Sequence, residues 1–283
     1  MASSALKFPN SPIPEHTIGS EQSPVRTAAA IIIGDEILNG KTADTNSTYF
    51  ATYCFELGIE LKRIEVIADD KEEIIEASRR LVKKFDFVVT SGGIGPTHDD
   101  ITYESLAKAF DQDLAYHEET RRRMLGLTKN RDVLKNQNEE QQKARDRMAL
   151  LPSRADVLFV DEELWVPIVK LEGKLCVFPG VPVLFKKLLE GLRPYLLVPD
   201  SSEKLFRLLV RTQLPESSIA PFLSALHHRV KSDGIRVGSY PIFQQGVTVS
   251  LLGKDVERVK ALGDEVAREI QGSIVNTATE AAQ

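Results

Sequence analysis

The chain is poor in cysteine, in tryptophan and in long apolar runs. Two cysteines in 283 residues are too few for a disulfide framework. Cys54 falls in a helical pattern and Cys176 in an apolar strand. Both read as buried thiols of a reducing compartment, with a disulfide between them left open. No apolar run reaches the length of a membrane span. Basic excess is missing too: the net charge of −5 argues against a general nucleic-acid binder. The aromatics, Trp165 included, are not interleaved with basic residues in the manner that stacks bases. Residues 1–25 lack an apolar h-region and carry Glu15 and Glu21, against a secretory signal and, with arginine scarce, against a mitochondrial presequence. We expect residues 1–26 to form a disordered extension and the protein to be cytoplasmic or also nuclear.

What is present is a strand–helix alternation. Residues 28–33 are continuously apolar, as in a strand buried on both faces. A polar loop follows, then a helix over 45–57 with Asp44 as N-cap and Gly58 as its stop. Residues 59–67 read as a strand with one partly exposed face. Asp70 and Glu73 open a helix over 71–84. Residues 86–90 give a third strand, and a helix over about 100–110 follows. Short connections between alternating elements specify a parallel doubly wound sheet. In the order 2-1-3 the ligand crevice lies beyond the carboxyl ends of the first and third strands. Residues 117–148 are polar and helical in spacing. Strands over 156–160, 165–170 and 174–178 follow, with a hairpin at Gly173-Lys174. Pro182 begins a helix reaching about Leu196. Beyond residue 200 the pattern becomes a small α+β unit, so we divide the chain into 27–199 and 200–283.

Two loops carry the chemistry. Asp35 and Glu36 directly follow the first strand. Carboxylates there serve a metal or a ligand hydroxyl, or else decorate a solvated loop. Asp44 and Asn46 have a ligand role or a capping role open to them. The second loop reads Ser91-Gly92-Gly93-Ile94-Gly95-Pro96-Thr97-His98-Asp99-Asp100. It is neither a dinucleotide fingerprint nor a Walker A loop. Ser91, Gly92, Gly93 and Gly95 offer backbone to a phosphate. One of Asp99 and Asp100 is expected to cap the next helix. Two anions beside a phosphate cradle repel the ligand unless a cation intervenes, which argues for a divalent metal. His98 is a phosphate donor, a base, or neither. Gly180, in Pro179-Gly180-Val181-Pro182, either admits a ligand or only makes the turn. Arg121, Arg122 and Arg123 either meet phosphates or form a solvated helix face, the second being favoured.

Gly34-Asp35-Glu36-Ile37-Leu38-x-Gly40 with Asp44-Thr45-Asn46, then the 91–102 loop, then Pro179-Gly180-Val181-Pro182 resemble the molybdopterin-binding-like (MoCF-type) domain of the CinA family. That domain also forms the N-terminal half of animal FAD synthases. The resemblance spans about residues 27–272, and the last part is similar to a KH-like subdomain. It implies a three-layer α/β domain with a parallel-rich sheet. It also implies metal-dependent hydrolysis of the pyrophosphate of ADP-ribose or FAD, releasing AMP, or, without catalysis, binding of molybdopterin or a nucleotide. By position, Asp35, Glu36, Asp99 and Asp100 would hold Mg²⁺, Mn²⁺ or Co²⁺, with Asp35, Asp99 and Asp100 catalytic and no redox cofactor. Ser91, Gly92, Gly93, Gly95, Thr97, Asn46 and Gly180 would bind the ligand. The expected partner is a small nucleotide or pterin, with no nucleic acid or membrane, in a homodimer. The segment 159–171 departs from the bacterial Asn…Gly-Thr-Ala-Pro-Gly pattern and looks more like the FAD-synthase version. A KH-type RNA clamp needs a GXXG loop, absent from 200–272. Neither amidohydrolase nor nucleotide-transfer segments are recognised, so we expect neither nicotinamide mononucleotide deamidation nor FAD synthesis from this polypeptide alone.

Overall fold

The computed structural model describes residues 7–13, 17–128, 137–200 and 203–275. Backbone contacts divide the chain into two units, residues 1–199 and 200–283. In the first, β1 (Thr27–Ile33), β2 (Glu60–Ile67), β3 (Phe87–Ser91) and β8 (Leu175–Phe178) run parallel. Two antiparallel strands, β7 (Ile168–Leu171) and β6 (Asp156–Leu158), complete the order β2-β1-β3-β8-β7-β6. A separate pair, β4 (Leu114–Tyr116) and β5 (Leu150–Pro152), flanks the polar helices α5 (Glu118–Thr128) and α6 (Glu139–Arg147). The sequence pattern missed this pair because three-residue strands leave no readable alternation.

The period of two sorts β1 between two cores. Ala28, Ala30 and Ile32 pack on one face with Phe50, Tyr53, Cys54 and Leu57 of α2 (Asn46–Leu57). Phe185, Leu188 and Leu192 of α7 (Pro182–Leu192) join them there. Ala29, Ile31 and Ile33 pack on the other face. Their partners are Ile74 and Leu81 of α3 (Lys71–Lys84), and Tyr103 and Leu106 of α4 (Thr102–Ala109). The helices after β1 and β3 therefore cover opposite faces, which opens the crevice between those strand ends. Asp70 caps α3 by accepting from the Glu72 and Glu73 N–H groups at 2.9 and 3.0 Å. Gly58 closes α2 in the left-handed region, φ 77°. Thr45 stands at the N-cap of α2 without a side-chain bond, and Asp44 Oδ1 instead accepts from the Ser47 N–H at 2.9 Å. Cys54 and Cys176 are free and buried, and burial pushes the Cys176 thiol up to about 12.

The N-terminal segment corrects the expectation of a disordered extension. Among residues 7–26, Phe8, Ile18 and Val25 are buried. The Phe8, Ser11, Ile18 and Val25 N–H groups bond carbonyls of Glu162, Phe159, Tyr195 and Leu197. Ser- and Pro-rich composition hides this because three well-spaced apolar anchors carry the docking. Residues 1–6 and 14–16 lie outside the described residues.

The arginine triplet divides: Arg122 is exposed and Arg121 half-buried, as on a solvated face, whereas Arg123 is not. Arg123 is 2% exposed. Its guanidinium lies 3.5 Å from the Phe159 ring centre and 4.9 Å from that of Phe8. Its Nε donates to Glu119 at 2.7 Å, and it also donates to the Pro9 carbonyl at 2.6 Å. Arg121 pairs with Asp146 and Arg122 with Glu119.

The second unit is an antiparallel sheet, β10 (Arg236–Ile242), β11 (Gly246–Gly253), β9 (Phe206–Thr212) and β12 (Ser273–Val275), in that order. Helices α8 (Glu216–Val230) and α9 (Val256–Glu269) pack Leu226 and Leu262 into its core beside Val210 and Val249.

Candidate functional site

A cavity of about 430 Å³ opens at the carboxyl ends of the parallel strands. One wall is acidic and glycine-rich: Glu36, Asp69, Gly92, Gly93, Asp99 and Asp100 line it. Tyr103, Met148, Trp165, Pro167, Val181 and Leu184 also line the cavity.

The glycines are required by close approach. Gly92 sits at φ 114°, and a Cβ there would lie 2.0 Å from the Ile33 carbonyl oxygen. Gly93 at φ 63° would place a Cβ 2.3 Å from Thr102 Oγ1. These contacts press the loop after β3 against the end of β1. Thr102 locks it, its hydroxyl donating to the Gly92 carbonyl and its N–H to the Gly93 carbonyl, each at 3.0 Å.

Asp100 turns into its own loop. It accepts from the Gly95 N–H at 2.6 Å, the Thr97 N–H at 2.9 Å and the Thr97 hydroxyl. Neither aspartate caps α4, whose N-cap is Ile101 without a side-chain bond. The loop, not the helix, uses the carboxylate. Arg147 clamps the same turn from α6, donating to the Thr97 and Asp100 carbonyls at 2.8 and 3.0 Å. With Gly95 and Thr97 so engaged, the Gly93 and Ile94 amides, whose residues line the cavity, are among the loop donors that find no acceptor among the described residues. Asp99 is exposed. Its carboxyl is held below the usual range, first by the Thr97 hydroxyl, whose well-aligned bond goes to Asp100, then by its own N–H, His98 and Arg147.

Asn46, Ser91 and Gly180 form a bridge between strand ends. Asn46 Nδ2 donates to Ser91 Oγ and to the Gly180 carbonyl, both at 2.9 Å. Asn46 and Ser91 are buried and do not line the cavity, whereas Gly180 does. Asp35 and Glu36 form the first turn of α1 (Asp35–Leu38), both exposed. The Glu36 carboxylate curls over Gly34, and a Cβ there would meet it at 2.6 Å.

The residue that sequence reading missed is Asp69, at the end of β2. Its carboxyl is raised above the ordinary range, first by burial and then by repulsion from Asp35, Glu36 and Asp99; the Asp35 N–H opposes the shift. Acids following three adjacent strands thus share one electrostatic neighbourhood. Asp69 was hidden beside Asp70, whose capping role explained the local pattern. Trp165 and Tyr103 also line the cavity, which a lone aromatic does not signal in sequence.

Among the described residues no group of three or more His, Cys, Asp or Glu side chains is gathered closely enough to enclose a metal ion. No helix of the described residues is long and apolar enough to cross a membrane.

A family described as a probable molybdopterin binding domain matches residues 29–198. The chain is 33% identical over 247 residues to protein PYRAB15930 of Pyrococcus abyssi, covering 82% of this chain and 92% of that one. It is 29% identical over 228 residues to a probable FAD synthase of Caenorhabditis briggsae, covering 76% of this chain and 43% of that one. It thus spans less than half of such relatives' length. Among solved structures it is similar to CinA of Thermoplasma acidophilum, itself of unknown function. That match has a TM-score of 0.50 and 31% identity, over 60% of this chain and 96% of that one. The chain belongs to the molybdopterin-binding-domain family, in its CinA-like form.

Proposed function

We propose that the chain hydrolyses the diphosphate linkage of a nucleotide, with FAD and ADP-ribose as candidate substrates, and releases AMP with the help of Mg²⁺, Mn²⁺ or Co²⁺. One observation carries this reading. Glu36, Asp69 and Asp99, from the ends of three adjacent strands, line a cavity floored by a glycine loop, and no lysine or arginine lines it among the described residues. Such a wall repels a phosphate, and the Asp69 carboxyl is raised first by burial and then by repulsion from Asp35, Glu36 and Asp99.

The donor set fits a hard cation. All its candidates are carboxylate oxygens. No three of them gather closely enough to hold an ion alone among the described residues, so a bound ion would need waters and substrate phosphates as further ligands. When bound, such an ion neutralises diphosphate charge and lowers the pKa of water. Glu36, Asp69 and Asp99 would hold it. Asp35 orients Asp69 through its N–H. The Gly93 and Ile94 amides meet phosphoryl oxygens, and the start of α4 adds its partial positive charge. Asp100 keeps the loop in shape and touches no reacting atom.

A second reading is a binding protein that holds a pterin or nucleotide without turning it over. The family description favours it, as does the lack of a closed metal cluster. Incubating the protein with ADP-ribose or FAD and each metal, then chromatographing for AMP, separates the two. Metal-dependent AMP supports hydrolysis. No AMP with any metal, together with tight pterin or nucleotide binding, replaces it with the second reading.

A further inference from the structure

We propose that β2, the outer strand of the six-stranded sheet, pairs antiparallel with β2 of a second copy of this chain, and that the two strands cross at Ile64. This surface stands apart from the cavity and holds whether or not the cavity is catalytic.

Among the described residues β2 pairs on one side only, with β1. The Ile67 carbonyl turns inward and accepts from the Gly34 N–H at 3.1 Å. In a parallel ladder, successive residues direct their backbone groups alternately to one side and the other. Ile64 and Val66 therefore direct N–H and C=O to the open edge. Such an edge is a template for another strand unless charge, a bulge or a cover blunts it. The bulge here is confined to the first half of β2, where the register slips between Leu61 and Arg63. From Arg63 to Ile67 the ladder is regular. Ile64 and Val66 remain 39% and 37% exposed.

The side chains of this regular half complement themselves. Arg63 and Glu65 share the face toward α3, whose Arg80 donates to the Glu65 carboxylate at 2.8 and 2.7 Å. Arg63 Nε stands 3.9 Å from the same carboxylate. Ile64 and Val66, of the other parity, share the opposite face. Antiparallel pairing centred on Ile64 sets Arg63 opposite the partner's Glu65, twice by symmetry. It lays Ile64 on the partner's Ile64, with Val66 diagonal to it, and so covers the exposed apolar stripe. Sliding one strand by two residues either way sets Arg63 opposite Arg63, or Glu65 opposite Glu65. Charge thus selects one register. Antiparallel strands carry their carboxyl ends apart, so the two Asp69 carboxylates lie at opposite ends of the joined pair.

Sedimentation of the full chain across the micromolar range tests the pairing, with thermal melts on each variant. We expect a concentration-dependent dimer. Ile64→Lys sets like charges at the crossing point and should weaken the dimer at least about tenfold, with little change in melting temperature because the site is exposed. Arg63→Glu and Glu65→Arg each oppose like charges at both positions, so each alone should be monomeric. Mixed together they restore two opposite-charge pairs and should dimerise. Ile64→Cys should cross-link to its own copy on oxidation, since the α-carbons of such an opposite pair stand about 5.5 Å apart. Val66→Cys should not, and the native Cys54 and Cys176 are buried. If Glu65→Arg fails to fold beside Arg80, Ile64→Lys and the two cysteine variants still decide. A chain that stays monomeric across the range overturns the proposal. So does a dimer indifferent to Ile64→Lys, a mixture of the two folded charge variants that stays monomeric, or cross-linking at position 66 in place of 64.

Discussion

The Asp69 carboxylate accepts a hydrogen bond from the N–H of Asp35 at 3.0 Å. The contact exists because β2 and β1 are neighbours in register, with Ile67 opposite Ile33. It brings the end of β2 into a site that sequence reading assigned to β1 and β3 alone. Asp69→Asn keeps an acceptor oxygen for the Asp35 N–H and removes one negative charge. We expect AMP release to fall about a hundredfold or more, with the melting temperature unchanged or slightly raised. Activity assay and thermal melt on the same preparation check this. Wild-type turnover in the variant would remove Asp69 from the mechanism.

Asp99 and Asp100 are adjacent but do different work. Asp100→Ala removes an acceptor of three hydrogen bonds and should cost about 1–3 kcal/mol of stability, with ligand binding lost as the loop loosens. Asp99→Asn, at an exposed carboxylate, should abolish metal-dependent turnover with a melting temperature within a degree or so of wild type. Unfolding curves for both variants test the division. Equal destabilisation by the two would refute it.

Gly92→Ala is predicted to be the most damaging glycine substitution in the first unit. Its Cβ would be driven into the Ile33 carbonyl at φ 114°, and we expect a loss above about 3 kcal/mol or failure to fold. Gly40 also has a positive φ, 75°, but nothing lies within 4 Å of its Cβ position. Gly40→Ala should therefore cost only about 1 kcal/mol of backbone strain. Denaturant midpoints of the two variants measure the contrast.

Glu119 links stability to acidity. Hydrogen bonds from Arg122 and then Arg123 hold its carboxyl at about 2. A depressed carboxyl stabilises the fold above its unfolded pKa of about 4.3, and that contribution disappears as pH falls through about 2. Glu119→Gln leaves the buried Arg123 guanidinium without its counter-ion and should cost about 1–3 kcal/mol at neutral pH. The gap between wild type and variant should close between those two pH values. Melts across that range check it; a constant gap would exclude the ionic origin.

Local pattern was enough to give the parallel strands and the place of the crevice. Continuous apolar runs at 28–33 and 87–89 left β1 and β3 only a doubly covered position, and the glycine loop marked the third strand's end. The caps at Asp70 and Gly58 and the free thiols were also legible locally, since each depends on a few neighbouring residues. Tertiary structure decided what depends on distant partners. Arg123 became a buried plate between Phe8 and Phe159, Asp100 became a loop tie, and Asp69 joined the acids, none of which periodicity can encode. The N-terminal segment docks because its apolar anchors find grooves made by residues more than a hundred positions away. Short-range patterns fix which elements form, whereas shared burial and summed charge arise only when those elements meet.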